Sequence, residues 1–327
     1  MKAIAALMLA GVASLASAQE LPVAPGRLVD VGGRTLHLNC TGSGSPTVVL
    51  ESGASAFSVD WWFVQPEIAK TNRVCSYDRA GYAWSDPGGV ETPQSGADDL
   101  HALLRAAGER GPYVLVGASF GGAVVRWYQL QHPEDVAGIV FVDSTHEDQL
   151  FLGVNGKAMP IWAITVDQVR AMIPPGPIPA SPIREPQTGA PFDRLPAEIL
   201  KLHVQFETKL MNDRQTPTRD AVLAQMEGQV TAFAALHEAR AKQDHPLGDL
   251  PVVVLTRGKG SRDALKAAHA DLAAQSTNSR HTVVPDAGHE IHLFRPDVVI
   301  DAIREVVVKS ALPATSPQPA SHRLLVS

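Results

Sequence analysis

Residues 113–128, YVLVGASFGGAVVRWY, hold one serine in the pattern Gly117-Ala118-Ser119-Phe120-Gly121. A serine hydroxyl is a poor nucleophile at neutral pH, so attack on a carbonyl requires a base to take its proton. Imidazole suits that task because its pKa lies near the working pH. The chain has twelve histidines, most of which must serve the surface or the packing. Four β-formers, Tyr113-Val114-Leu115-Val116, precede the serine and a helix-length segment follows it, which predicts a strand, a sharp turn and a helix with Ser119 at the apex. Small flanking residues suit the unusual backbone angles and close packing of such a turn. The pattern alone is weak, since a chain of this length meets G-x-S-x-G by chance about one time in ten. In the plain reading Ser119 merely starts a helix.

The elements that would position these groups follow in order. Leu28-Val29-Asp30-Val31 and Thr35-Leu36-His37-Leu38-Asn39, joined through Gly32-Gly33, read as a hairpin. Thr47-Val48-Val49-Leu50-Glu51, Arg73-Val74-Cys75-Ser76-Tyr77, Gly138-Ile139-Val140-Phe141-Val142, Pro251-Val252-Val253-Val254-Leu255-Thr256 and His281-Thr282-Val283-Val284 read as further strands. Helices are expected over 60–70, 94–108 and 296–309. Apolar strands alternating with helices imply a parallel sheet covered on both faces, with an antiparallel edge from the hairpin. Residues 147–248 break this rhythm with a proline-dense stretch and helices near 196–211 and 218–242. The segment leaves the sheet after a strand's carboxyl end, where ligands of α/β proteins sit, so it reads as a cap.

The chain has 327 residues, 45% hydrophobic and 19% charged, as in an ordinary globular protein. A net charge of −6 and the lack of any basic cluster argue against a nucleic-acid partner. Lys2, the apolar run 3–15 and Ala16-Ser17-Ala18 read as a signal peptide over 1–18, cleaved before Gln19. A secreted or periplasmic protein without stable membrane insertion is expected, of open oligomeric state. The domains would be a core of 19–146 and 249–310, the helical cap 147–248, and a disordered tail 311–327 that is small, polar and proline-rich. The two cysteines, Cys40 and Cys75, lack zinc-ligand spacing and in an exported chain could pair.

Four stretches together resemble the α/β-hydrolase-fold superfamily, in its esterase, lipase and epoxide-hydrolase-like group: VVLESGA at 48–54, YDRAGYAWSDP at 77–87, VGASFGG at 116–122 and DAGHEIHLFRPD at 286–297. They cover nearly the whole chain outside the signal segment and the insertion, in the family's order and spacing. The resemblance implies an eight-stranded, mostly parallel sheet with an antiparallel second strand, helices on both faces, and the cap inserted after the sixth strand. It implies Ser119 as nucleophile and His289, in a Gly-His loop after the last strand, as base. His292 reads as a packing or surface residue, because HEIH is not the H-E-x-x-H of zinc sites. One oxyanion donor would be the N–H of Phe120, and alignment of the loop after the third strand makes Ala54 the other, although Ser52 replaces the family's more common histidine there.

The acid has two candidates. The family usually carries it after the seventh strand, where Asp263 lies somewhat late; a minority carries it after the sixth, where Asp143 abuts the strand end. A buried aspartate there needs a partner such as an imidazole N–H, whereas Asp263 fits the first turn of a surface helix, so Asp143 is favoured and Asp263 is the alternative. Tyr77-Asp78-Arg79 reads as the tie of its loop, and Asp99 and Arg126 as helix-surface charges. In the family's sheet order the second and fourth strands are neighbours, which implies a Cys40–Cys75 disulfide.

The expected activity is that of a serine hydrolase, foremost a carboxylic-ester hydrolase acting through an acyl-enzyme on a small or medium acyl ester, with no cofactor and no metal. Amide, lactone and thioester hydrolases and acyltransferases share the machinery, while the dehalogenases and epoxide hydrolases of the fold use an aspartate nucleophile. A non-catalytic binding protein with a retained pocket is the alternative class. A surface-active lipase would expose an apolar lid; Phe151, Met159, Ile161, Trp162 and Ile164 read instead as packing residues.

Overall fold

The computed structural model of the chain describes residues 21–311 except 153–156, 174 and 183. The expected signal segment 1–18 and the tail beyond residue 311 lie outside the described residues. In chain order the elements are β1 (Arg27–Asp30), β2 (Thr35–Thr41), β3 (Thr47–Glu51), α1 (Gln65–Ile68), β4 (Val74–Tyr77), α2 (Pro93–Ala106), β5 (Tyr113–Ala118), α3 (Phe120–Gln131) and β6 (Val136–Val142). There follow β7 (Leu150–Leu152), β8 (Ala158–Pro160), α4 (Val166–Met172), α5 (Ala197–Asp213), α6 (Arg219–Ala241), β9 (Val252–Arg257), α7 (Asp263–Ala274), β10 (Ser279–Val284), α8 (Ile291–Phe294) and α9 (Pro296–Ser310).

Among the described residues eight strands form one sheet in the order β1-β2-β4-β3-β5-β6-β9-β10. β2 runs antiparallel to both of its neighbours and the other pairings are parallel. Strands covered on both faces must be apolar on both, and β5 shows why its run is continuous. Val114 and Val116 pack with Val299 and Ile303 of α9, while Tyr113 and Leu115 join Leu100 of α2 and Val124 of α3. Cys40 and Cys75 face each other in the β2–β4 register and are joined as a disulfide closing 35 residues of chain. A closed loop of that length ordinarily contributes about 2–4 kcal/mol by restricting the unfolded chain.

Several local expectations are corrected. The single helix over 60–70 is instead a 3-10 turn, Ser58–Trp61, and the short α1. Asp60 accepts the Phe57 N–H at 2.8 Å and so caps the start of the 3-10 turn, while Pro66 in the first turn of α1 starts the next element. Arg126 is not a surface charge: it lies buried on α3 and pairs with the fully buried Glu147. Asp99 is part-buried and pairs with Arg34 across to the β1–β2 hairpin. Their burial comes from other elements laid over a helix face, which the helix's own periodicity does not show.

The inserted segment leaves after β6, as the resemblance implies. It is not wholly helical, since β7 and β8 form a two-stranded antiparallel ribbon at its start. One part packs Ile161, Ile164, Val169 and Phe233 onto Ala123 of α3. The other packs Phe192, Ile199 and Phe206 onto Phe57, Tyr82 and Leu293. Ile161 and Ile164 are thus packing residues as expected, but Phe151 is 42% exposed on β7. Where the segment begins, Glu147 is held between Arg126 and Arg240 of α6. Burial opposes its ionisation, but the Arg126 charge and hydrogen bond hold its carboxyl well below the usual carboxylate range.

The second anchor is ionic as well. His203 on α5 meets Asp60 at 2.8 Å and Glu207 at 3.6 Å, and Arg184 pairs with Glu207 at 2.6 Å. Burial alone would lower the His203 pKa; the Asp60 and Glu207 carboxylates outweigh it and push it up to about 9. A histidine with a raised native pKa contributes stability in full below its unfolded value and loses it as pH rises through the folded value. The denaturant midpoint is therefore expected to fall between pH 7 and 10 by more in the wild type than in His203→Gln. Equal slopes for the two proteins in urea melts across that range would refute this role.

Candidate active site

The turn between β5 and α3 places Ser119 at φ 50° and ψ −121°, backbone that an L-residue adopts only when its surroundings hold it there. Two glycines make the turn possible. A Cβ on Gly117 would stand 2.7 Å from the carbonyl oxygen of Gly121, and one on Gly121 would stand 2.6 Å from that of Glu51. The Ser119 N–H donates to the Val142 carbonyl at 3.1 Å, and its own carbonyl accepts from Gly122 at 3.0 Å and Thr145 at 2.8 Å. The serine turn is thereby tied to the loop that leaves β6.

That loop carries Asp143, a second non-glycine residue at positive φ (45°), buried to 3% exposure. Its carboxylate meets Nδ1 of His289 at 2.5 Å, and Nε2 of the same ring lies 2.9 Å from Ser119 Oγ. The ring stands in the loop between β10 and α8 with 39% of its side chain exposed. Serine hydroxyl, imidazole and carboxylate thus form one continuous chain, from the ends of β5, β10 and β6.

Asp263 is not part of it. It is the first residue of α7, fully exposed, with Lys266 3.6 Å away. The position directly at the end of β9 is taken by Arg257, a residue that sequence reasoning passed over. Its backbone N–H donates to Asp143 Oδ1 at 3.0 Å and its guanidinium to Oδ2 at 3.1 Å. Burial raises the pKa of Asp143, but the bonds from His289 and the Arg257 N–H, with both charges, together hold it below the ordinary value. The available signal was register: β6 pairs with β9, so residues just beyond Val142 and Leu255 must meet.

Phe120 is the first residue of α3, where a backbone N–H has no acceptor within the helix. The Gly53–Ala54 stretch crosses Ser119 closely, for a Cβ on Gly53 would lie 3.0 Å from Ser119 Cβ. Ala54 is exposed beside it. Ser52 braces this loop, accepting from Trp61 Nε1 at 2.9 Å and donating to the Phe57 carbonyl at 3.2 Å. Under the loop lies Arg79, 5% exposed, pairing with Glu51. Glu51 is wholly buried, and burial pushes its carboxyl up to about 7 against the pull of Arg79. His292 packs against Trp61 with ring centroids 4.7 Å apart, and burial lowers its pKa to about 4.

Among the described residues two other clusters bring histidine and carboxylate ligand atoms together. In His101–His132–Asp135 the rings stack at 3.8 Å and 12°, so their in-plane lone pairs do not converge on one point. In His146–Asp148–Asp271 the Arg240 guanidinium already bonds both carboxylates. A cavity of about 500 Å³ between Trp62, Trp84 and Leu202 includes none of Ser119, Asp143 and His289 in its lining.

The family model for the alpha/beta hydrolase fold matches residues 46–296. This chain belongs to that family. Among curated proteins it is 36% identical over 129 residues to a probable transporter, efuK, of Hormonema carpetanum, spanning 37% of this chain and 18% of that protein. Among solved structures it is similar to a thermophilic esterase from Thermogutta terrifontis (TM-score 0.56, 23% identity, 85% of this chain and 95% of that one). It is also similar to Est816, described as an N-acyl homoserine lactone degrading enzyme (TM-score 0.57, 21% identity, 85% and 99%).

If Asp143 orients His289, Asp143→Asn slows labelling of Ser119 by a fluorophosphonate roughly 10⁴-fold while Asp263→Asn leaves it nearly unchanged. The opposite pattern in a timed gel assay would transfer the role to Asp263.

Proposed function

We propose that the protein is a serine hydrolase that cleaves carboxylic esters through an acyl-enzyme. The observation that carries this reading is the unbroken chain from Ser119 Oγ through His289 to Asp143. Ser119 Oγ attacks the ester carbonyl as its proton passes to His289 Nε2. The imidazolium is held by Asp143, whose carboxylate stays ionised. The tetrahedral oxyanion is accepted by the N–H groups of Phe120 and Ala54. Collapse breaks the ester C–O bond, and the alcohol leaves with the proton from His289. A water molecule, deprotonated by the same ring, then releases the acid and restores Ser119.

An epoxide hydrolase or dehalogenase of this fold would need a carboxylate where Ser119 stands, so these activities are set aside. Lactone, thioester and amide cleavage and acyl transfer run on the same groups; the family and the fold leave that choice to the substrate pocket. The segment from β7 to α6 serves as the cap, supported by its seat on α3 and on the loops after β3 and β4. Export is proposed from the N-terminal pattern of residues 1–18, and the Cys40–Cys75 bond fits an oxidising compartment.

Hydrolysis of p-nitrophenyl acetate or butyrate is expected from the wild type and should fall roughly 10⁶-fold, to background, in Ser119→Ala. A wild type inert toward short esters and unlabelled by a fluorophosphonate refutes the reading. For export, N-terminal sequencing of protein from the periplasm or medium should begin at Gln19; a chain retained in the cytoplasm with Met1 intact overturns it.

A further inference from the structure

Arg79 makes four hydrogen bonds to the loop after β3, to Glu51 and to Glu91. Nη1 donates to Glu51 Oε1 at 2.5 Å and to the Ser52 carbonyl at 2.6 Å, Nη2 to the Gly53 carbonyl at 2.7 Å, and Nε to Glu91 Oε1 at 3.0 Å. The guanidinium carbon lies 4.5 Å from the centre of the Tyr82 ring and 5.4 Å from that of Phe120. One buried cation therefore touches both residues that flank the nucleophile: the Gly53 carbonyl on one side and the Phe120 ring on the other.

The peptide joining Gly53 to Ala54 is not among the cis bonds of the chain. In a trans peptide the carbonyl and the next residue's N–H point in opposite directions. Holding the Gly53 oxygen against Arg79 thus turns the Ala54 N–H away from Arg79. Donation to that carbonyl also polarises the amide and strengthens its N–H as a donor. A guanidinium, unlike an ammonium, can grip two successive carbonyls and a carboxylate at fixed angles.

We propose that Arg79 is a positioning residue for the oxyanion site, setting the plane and polarity of the Gly53–Ala54 peptide so that the Ala54 N–H meets the developing charge. The inference rests on Ser119 acting as the acyl-transfer nucleophile. Glu91 completes the arrangement from the cap side. Its second oxygen pairs with Arg214 at the end of α5 at 3.1 Å, and Gln229 of α6 donates to its backbone carbonyl at 3.1 Å. The grip on the donor loop and the seat of the cap therefore share one carboxylate.

The test compares wild type, Arg79→Lys and Glu91→Gln, each corrected for active fraction by fluorophosphonate titration. Arg79→Lys keeps a cation opposite Glu51 but cannot hold both carbonyls. It should lower kcat for a short p-nitrophenyl ester roughly ten- to a hundredfold, less than outright loss of an oxyanion donor, with KM little changed. Two inhibitors separate positioning from general damage. A short alkyl trifluoromethyl ketone adds Ser119 Oγ to its carbonyl carbon and forms an oxyanion, so its Ki should rise by a similar factor. The matching trifluoromethyl carbinol cannot form one, and its Ki should stay constant. Unchanged kcat, or equal rises for both compounds, overturns the proposal. If Arg79→Lys does not fold, Glu91→Gln should show the same split in smaller size, and no split there overturns it. A wild type that neither turns over ester nor reacts with the fluorophosphonate refutes the serine-hydrolase reading itself, and this inference with it.

Discussion

The closeness of the turn at Ser119 to the strand ends around it is the constraint on which the rest depends. The carbonyl of Glu51 lies so near Gly121 that no side chain fits between β3 and the first turn of α3. The serine's own N–H is bonded to the end of β6. A residue at φ 50° is costly, of the order of 1–3 kcal/mol, and persists only because neighbouring strands leave it no relaxed alternative. The sheet order supplies those neighbours, since β5 lies between β3 and β6. The strain at Ser119, the close approach of the Gly53–Ala54 loop and the position of Asp143 are consequences of one packing arrangement at the carboxyl ends of three adjacent strands.

Around that turn the protein buries ionisable groups, and it does so in pairs. Glu51 meets Arg79, Glu147 meets Arg126 and Arg240, Asp143 meets Arg257 and His289, and Asp60 meets His203. Isolated, each would be expensive; paired and hydrogen-bonded, each fixes the relative position of two chain segments that apolar contact alone would let slide. The pairs join parts remote in sequence, and three of them reach the inserted segment or the loops beneath it. Removing one partner of such a pair leaves a buried charge uncompensated, which makes these sites sensitive to substitution well beyond their direct contacts.

Asp143 and Arg257 show how the same geometry can be reached by a different route. Asp143 stands at the end of β6, and the strand next to it ends in Arg257, which holds the carboxylate with a backbone and a side-chain donor. Adjacent parallel strands in register bring their ends to the same place, so a carboxylate at the end of either could reach the imidazole. The Arg257 N–H and charge add to those of His289 in holding the Asp143 carboxyl below its ordinary value.

Periodicity and turn chemistry in the sequence alone determined the strand, turn and helix at Ser119, the alternation that makes a parallel sheet, and the break at residues 147–248. These are local properties, carried by residues such as Val114, Leu115, Gly117 and Gly121 that act on their immediate neighbours. Tertiary structure decided the rest. The sequence favoured Asp143 over Asp263, but that Asp143 meets His289, and that Arg257 meets Asp143, needed the tertiary structure and the β6–β9 register. The pairing of Cys40 with Cys75, expected from the resemblance, is formed across the antiparallel β2–β4 register. Arg126 read as a surface charge because nothing within α3 shows that Glu147 and the inserted helices will cover it. The buried contacts of Arg79 with Glu51 and of Arg257 with Asp143 escaped notice for the same reason. Long-range contacts set burial and charge pairing, and a single stretch of chain records only its own share of them.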